Sequence, residues 1–454
     1  MRFTSPAVLV AAISASFVTS IQLTVTDSSS IESAAKTIAA GLTSYYTGYK
    51  PGDTPGYLPD PYYWWECGAM FNTLINYWYY TGDTQYNDWV VQGLQHQSSP
   101  TQNFMPENAS RSEGNDDQYF WAAAVMSAAE LGFVDPPEGE PGWLALAQGV
   151  FNSQANRYDA ADCRGGMRWQ IFTLNTGYNY KNTAANGGLF NLAARLGAYT
   201  GNQTYFEWAD KLWDWMYTDV HLIDNQNWNV YDGTSIEDGC TTLDHTMWTY
   251  TAGMMIHGTA VMYNITQSDQ WKQRTQGLWT AASTNYFNEG KVMFDVCEAT
   301  VKCNTDQKSF KAYLSRFMAA ASKLAPFLYD QMEPYIQASA TAATQQCSGG
   351  STGTDCGLQW THNTTYDGLT GVGQQMAALE IVQSLLIKDA KAPVSGNTGG
   401  TSKGDASAGT GDSNESDLSE ASTRPITMAD KAGAGILTAL VAFGTLGGAW
   451  FIVQ

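Results

Sequence analysis

Apolar residues recur along this chain at helical spacing far more often than in the alternation of a half-buried strand. Ile31 to Tyr46 carries its apolar positions on one face, behind a short serine run. A second helical run opens at Tyr62-Tyr63-Trp64-Trp65-Glu66 and continues through Met70, Leu74 and Trp78. Between them Gly48 to Pro61 is dense in Gly, Pro and Asp and reads as loop. Further helices are predicted over Phe120 to Leu131, Gly188 to Ala198, Phe310 to Leu328 and Met376 to Ile387, and another near Met247-Trp248-Thr249-Tyr250. Alternating Val/Ile/Thr runs are sparse.

An internal repeat organises these helices. Tyr80-Thr81-Gly82-Asp83, with Tyr86 and Trp89 behind it, recurs as Tyr199-Thr200-Gly201-Asn202 with Tyr205 and Trp208. Weaker copies are Tyr263-Asn264-Ile265-Thr266 with Trp271, and the segment from Gly132 to Trp143. Each copy places a helix, a Gly/Asn/Asp turn and a second helix in succession. The tryptophans at 89, 143, 208 and 271 are 54, 65 and 63 residues apart, the length of one helical hairpin with loops. Ile21 to Lys388 leaves room for six such units, and six helical hairpins closed in a ring make an all-α (α/α)6 barrel. In that architecture loops gather around one open end. The repeated tryptophans are expected in the core.

Composition narrows the function. The net charge of −20 argues against nucleic acid, which needs a basic face. Acidity combined with 16 Trp and 25 Tyr suits a carbohydrate site, where acids bind hydroxyls and rings stack on sugars. The candidate chemistry lies in Gly114-Asn115-Asp116-Asp117-Gln118-Tyr119, where a loop enters a helix. Two adjacent carboxylates repel each other's charge and separate their titrations. One acid and one carboxylate side by side can break a glycosidic bond. The competing reading is an ordinary helix cap with Asn115 and Gln118 as a capping box. Trp64 and Trp65 at another loop–helix junction are candidate ring-stacking residues. Asp232, Glu237, Asp238 and Asp244 crowd a loop, where acids are either solvated or bind sugar hydroxyls at a rim.

The termini read as processing signals. Residues 1–20 resemble a secretory signal peptide. Residues 21–390 form the folded domain. From 391 to 431 the chain is rich in Gly, Ser, Thr and Asp, and is expected as a disordered stalk holding a GPI-attachment region near Asn414 to Ser422. Residues 432–454 are the apolar tail of a GPI signal, removed on maturation. A plasma-membrane outer face or cell-wall location follows. Glycosylation sequons stand at Asn108, Asn202, Asn264, Asn363 and Asn414. Of seven cysteines, Cys297/Cys303 and Cys347/Cys356 are expected to close short loops, Cys163/Cys240 to pair as well, and Cys67 to remain free and buried. Neither cysteines nor histidines show zinc spacing, and no cofactor is expected.

With these residues in view, the chain resembles the fungal, GPI-anchored members of glycoside hydrolase family 76, mannan endo-1,6-α-mannosidase-like proteins of the cell wall. The resemblance covers roughly residues 30–388. It rests on Asn115 to Tyr119, Arg164-Gly165-Gly166-x-Arg168-Trp169, Lys181-Asn182-Thr183-x-x-Asn186-Gly187, and Asp244 to Gly253. It implies the (α/α)6 barrel and a retaining mechanism with Asp116 as nucleophile and Asp117 as general acid/base. It also implies Asn115, Lys181 and Asp244 as substrate contacts and Trp64, Trp65 and Tyr250 as pocket walls. A monomer is expected, acting on a mannose-containing donor such as a GPI core or α-1,6-mannan. For the fungal members the resemblance further suggests transfer to a β-glucan acceptor, linking GPI proteins to the wall. The alternative is a non-catalytic wall protein that binds the same glycans.

Overall fold

The computed structural model describes residues 20–107, 109–300, 302–362, 365–410 and 438. The signal peptide, the attachment region, the apolar tail and the sequons at Asn108, Asn363 and Asn414 fall outside them. Among the described residues no helix is long and apolar enough to cross a membrane.

Among the described residues twelve α-helices alternate between an inner and an outer ring. The inner ring is α2 (Trp64–Thr81), α4 (Asn115–Leu131), α6 (Thr183–Thr200), α8 (Thr249–Thr266), α10 (Phe310–Leu324) and α12 (Val372–Gln383). Each packs on the next, and α12 closes the ring against α2. The outer helices are α1 (Ser28–Thr43), α3 (Asn87–Gln97), α5 (Trp143–Asn156), α7 (Gln203–Asp214), α9 (Asp269–Asn285) and α11 (Tyr329–Gln345). The α1 helix lies on α12 and α2, so both ends of the domain meet. This is the (α/α)6 barrel. Inner helices are apolar nearly all round, as their double-sided burial requires; α8 buries every residue from Thr249 to Met262.

The two ends of the barrel are built differently. At the end carrying the C-termini of the inner helices, connections are tight: Gly201–Asn202 joins α6 to α7 and Gln267–Ser268 joins α8 to α9. Here the sequence repeat becomes geometry. Thr81, Thr200 and Thr266 each turn a hydroxyl back onto the carbonyl four residues earlier at 2.6 Å. Gly82, Gly201 and Gln267 follow in the left-handed conformation. Asp83, Asn202 and Ser268 then accept a backbone N–H two residues on, at 3.0, 3.0 and 3.2 Å. In the second and third copies one helix is stopped and the next capped within three residues; in the first, Asp83 holds the turn and α3 begins four residues later. Of the repeated tryptophans, Trp143 and Trp271 are buried, while Trp89 and Trp208 are half-buried.

At the other end the connections are long: 157–182 before α6, 215–248 before α8 and 286–309 before α10. Two of these loops pair as a small antiparallel sheet of β1 (Tyr180–Asn182), β2 (Gly233–Ser235) and β3 (Leu243–Asp244), with Asn182 opposite Gly233 and Gly233 opposite Asp244. The Cys163–Cys240 disulfide staples the same two loops; Cys297–Cys303 and Cys347–Cys356 close short loops, and Cys67 is free and buried. The pairing expected from the sequence is the pairing found.

The segment expected to begin a disordered stalk is ordered as far as Thr410. Lys391–Thr410 has neither helix nor strand, yet it lies along the domain as a strap. Val394 N–H bonds the Glu130 carbonyl at 2.7 Å, and Gly396 N–H bonds that of Tyr199 at 2.9 Å. Ser402 Oγ then accepts from Leu144 N–H at 2.9 Å, and the Lys403 carbonyl from Ala145 N–H at 3.2 Å. These two bonds satisfy the first turn of α5, whose own cap residue is Gly142 and has no side chain to do so. Composition alone overlooks this, because the strap is held by backbone atoms and by glycines that allow close approach.

Candidate active site

All six inner helices point their N-termini at the long-loop end. The α4 helix begins with Asn115-Asp116-Asp117 behind Gly114. Asp117 reaches back to accept the Gly114 N–H at 2.7 Å, and its own N–H donates to Asp116 Oδ1 at 3.1 Å. Asn182 Nδ2, at the foot of the rim sheet, donates to Asp116 Oδ2 at 3.4 Å. The capping reading thus holds in part: Asp117, not Asn115, closes the first turn. That leaves one Asp117 oxygen and the faces of Asp116 toward the cleft.

Burial raises the pKa of both carboxyls well above the usual aspartate range. For Asp116 the hydrogen bonds from Asn182 and from backbone N–H groups partly offset it. For Asp117 the neighbouring Asp116 charge adds a second upward push. Both carboxyls are therefore harder to ionise than ordinary aspartates, and mutual repulsion separates their titrations, with Asp117 pushed the further up. Among the described residues no cation forms an ion pair with either.

Two further acids face the same end. Asp232 accepts from the Tyr180 hydroxyl at 2.6 Å and from Trp248 Nε1 at 3.0 Å, and burial raises its pKa. Asp306, on the loop before α10, accepts from the Trp65 indole; burial lifts it to about 6, and its charge acts on Asp116, Asp117 and Tyr250. Asp232 was expected only as one of several rim acids and Asn182 only as part of a motif, while Asp306 was not singled out from the sequence. A loop acid without a motif gives no signal until the fold brings it to the mouth.

The aromatic walls are partly as expected. Trp65 stacks on Phe120 at 4.4 Å, one turn below the aspartate pair. Tyr250 stands against Phe310 at 4.1 Å, and burial, with the charges of Asp232 and Asp116 adding to it, pushes its phenol strongly up. Trp64 is turned aside: it stacks on Trp121 at 4.9 Å and gives its N–H to Gln97 at 2.8 Å. Asp244 is exposed at the rim and accepts from Thr246 N–H and hydroxyl at 2.9 and 2.7 Å.

Two expected substrate contacts are structural instead. Asn115 is buried, and its side chain joins the Arg168 carbonyl at 2.9 Å to Arg157 Nε at 2.9 Å. Lys181 is wholly buried; its ammonium bonds the carbonyls of Asp159, Asp162 and Gly165 at 3.2, 2.9 and 2.8 Å and pairs with Asp159 at 3.1 Å. Three N–H donors with four acceptors have nothing left for a sugar. A polar residue next to a motif is as readily the bolt behind it.

A half-buried pair of adjacent aspartates at a barrel mouth, both raised in pKa and lined by rings and further acids, is glycosidase equipment. The sequence profile of glycosyl hydrolase family 76 matches residues 30–397. The chain belongs to glycosyl hydrolase family 76. It is 44% identical to mannan endo-1,6-alpha-mannosidase DCW1 of Saccharomyces cerevisiae, over 96% of each chain. It is 41% identical to mannan endo-1,6-alpha-mannosidase DFG5 of the same organism, over 95% of this chain and 94% of that one. Among solved structures, Dfg5 from Chaetomium thermophilum in complex with glucosamine superposes with a TM-score of 0.82 at 42% identity, covering 85% of this chain and 97% of that. The GH76A alpha-1,6-mannanase from Salegentibacter sp. HEL1_6 shares the fold, with a TM-score of 0.63 at 16% identity over 78% of this chain and 98% of that. This family-76 chain is therefore a glycoside hydrolase on the same barrel.

Proposed function

We propose that the chain is a retaining α-1,6-mannosidase that passes its mannosyl intermediate to a second sugar. The observation that carries this reading is the adjacent pair in the first turn of α4, with Asp117 the harder of the two to ionise. Asp116 attacks the anomeric carbon. The glycosidic C–O bond breaks as Asp117 gives its proton to the leaving oxygen, and a mannosyl ester forms on Asp116. An acceptor hydroxyl then attacks the same carbon, its proton goes to Asp117, and the ester bond breaks. Water as acceptor gives hydrolysis; a sugar hydroxyl gives transfer. The donor class follows the relatives, which are mannan endo-1,6-alpha-mannosidases. A glucosamine-containing glycan such as a GPI core is supported by the ligand in the Chaetomium structure. Wall β-glucan is the acceptor, and the terminal signals place the enzyme, GPI-anchored, at the boundary between membrane and wall.

The test is mass spectrometry of the protein with an α-mannosyl fluoride donor and a β-glucan oligosaccharide. A mannosylated oligosaccharide is expected, together with a mannosyl adduct on Asp116 when turnover is slowed. Free mannose as the sole product removes the transfer step but keeps the hydrolase. Sugar binding without turnover makes this a wall-binding protein.

A further inference from the structure

The strap decides where the rest of the chain leaves the domain. After α12 the chain stands at the short-turn end, beside the C-termini of α4 and α6. Without further guidance it would depart there, at the far side from Asp116. Instead it turns along α5 and runs the other way. Ser402 and Lys403 sit at the first turn of α5. Asp405 N–H bonds Gln148 Oε1 at 2.8 Å, and Asn152 Nδ2 holds the carbonyls of Ala406 and Ala408 at 3.0 and 2.8 Å. Gly409 N–H ends on the Thr101 carbonyl at 3.0 Å. From Trp143 to Asn152 the strap advances about 14 Å along the helix axis.

The strap ends on the loop that leads to the catalytic pair, with Gly409 against Gly149, about 8 Å along α5 before the level of Asn115. Thr101 lies in the loop 98–114 that delivers the chain to α4. Thr101 Oγ bonds Asn103, whose carbonyl accepts from Gln118, the residue after Asp117. Two residues beyond Asn152, Gln154 bonds the Asn115 carbonyl at 2.7 Å.

The groove is shaped for this path. A Cβ on Gly409 would meet the Gly149 carbonyl oxygen at 2.1 Å, and one on Gly142 the Lys403 carbonyl oxygen at 2.4 Å. One on Gly404 would meet Gln148 Oε1 at 2.6 Å. Close backbone approach at three separate points marks a seated segment and not a loosely draped tail.

We propose that the docked strap orients the anchored enzyme so that the catalytic end of the barrel faces the lipid surface. This rests on the anchoring read from the sequence. The small residues of the attachment region, Asn414 to Ser422, begin only a few positions beyond Thr410. Four to twelve residues reach at most about 14–43 Å even if fully extended. The inner helices are about 27 Å long, so a tether starting at the catalytic end holds that end nearest the layer. The rim loop beside the exit also carries Leu174, 96% exposed, an apolar tip suited to the headgroup region. Its neighbour Asn175 bonds the Arg111 carbonyl in loop 98–114 at 3.0 Å, which places the tip on the strap's side of the cleft. The cleft then meets glycans seated on lipid before it meets polymer farther out.

The test uses the full anchored chain in phosphatidylcholine vesicles containing an energy-acceptor lipid. Donor dyes are placed by Leu174→Cys at the catalytic rim and by Ile265→Cys at the short-turn end. Transfer from position 174 should exceed that from 265 at least twofold. Gly404→Val with Gly409→Val, which unseat the strap, should bring the two within 20% while hydrolysis of soluble α-1,6-mannan stays within twofold. A Gly/Ser insertion of about 20 residues after Thr410 leaves the strap seated and should have the same levelling effect. Equal or stronger transfer from 265 in the unaltered protein overturns the proposal. Protein that fails to stay with the vesicles overturns it through the anchoring reading. Turnover of soluble mannan in the same sample reports the catalytic reading separately.

Discussion

The short-turn end and the mouth around the aspartate pair treat buried charge in opposite ways, although elsewhere at the long-loop end Asp159 and Glu298 are paired with Lys181 and Lys311. At the short-turn end each buried acid has an arginine. Arg316 Nη2 bonds Glu380 at 2.6 Å, and Asn76 and Gln383 complete the carboxylate. Arg195 bonds Glu130 through Nε and Nη2 at 3.0 and 2.7 Å. His257 beside them is driven neutral by burial and takes Asn191 as its donor at 3.2 Å. At the long-loop end Asp116, Asp117, Asp232 and Asp306 are desolvated and matched only by neutral donors such as Asn182, Tyr180 and the indoles of Trp65 and Trp248. Compensated charge fixes structure; uncompensated charge keeps a proton available and leaves lone pairs for a ligand. The same residue type therefore serves stability at one end and chemistry at the other.

Exchanging the two behaviours should break the molecule in different ways. Asp116→Asn and Asp117→Asn should each lower kcat by about 10³-fold or more, with Tm changed by only a few degrees. An activated fluoride donor should restore the first step in Asp117→Asn, since its leaving group needs no proton, and not in Asp116→Asn. Steady-state kinetics and calorimetry on the same preparations check both statements.

Glu380→Ala should do the reverse. It leaves the Arg316 charge buried and alone, a loss of about 3–5 kcal/mol, read as a lower urea midpoint. Turnover per folded molecule should hold. Equal loss of activity and stability would mean that the ends are coupled.

The finest test concerns pH. Turnover needs Asp116 ionised, so activity falls as pH drops through its raised pKa. It also needs Asp117 protonated, so activity falls as pH rises through the higher one. Asp306 pushes both upward. Asp306→Asn should move both limbs of the kcat/KM profile to lower pH, by roughly half a unit to one unit, in rate–pH curves of the two proteins. Unmoved limbs would place Asp306 outside the electrostatics of the pair.

The barrel was legible because its repeat is chemical. Thr81-Gly82-Asp83 and Thr200-Gly201-Asn202 recur since a hydroxyl, a left-handed residue and a capping side chain are what a two-helix turn demands. The aspartate pair was legible for a similar reason, as adjacent acids at a helix start are seldom neutral in effect. The α6 helix starts five residues before its predicted first residue, because Asn182 caps it by accepting from Ala185 N–H at 3.1 Å. Lys181 and Asn115 were misread because their motifs say that they matter, and not which way they point. Asp306 and the strap carry no local signal; one depends on which loops converge, the other on a groove supplied by α5.

Closure of the ring of helices has a consequence for synthesis. The apolar faces of α1 and α2 are covered by α12, whose first residue is Val372. A chain growing at about 5–20 residues per second needs roughly 15–60 s between completing α2 and exposing α12. For that interval the first hairpin has its inner partner α4 but not its other neighbour. The newborn chain therefore carries an uncovered apolar face from its first hundred residues until α12 arrives, and a chain truncated before α12 leaves that face open for good.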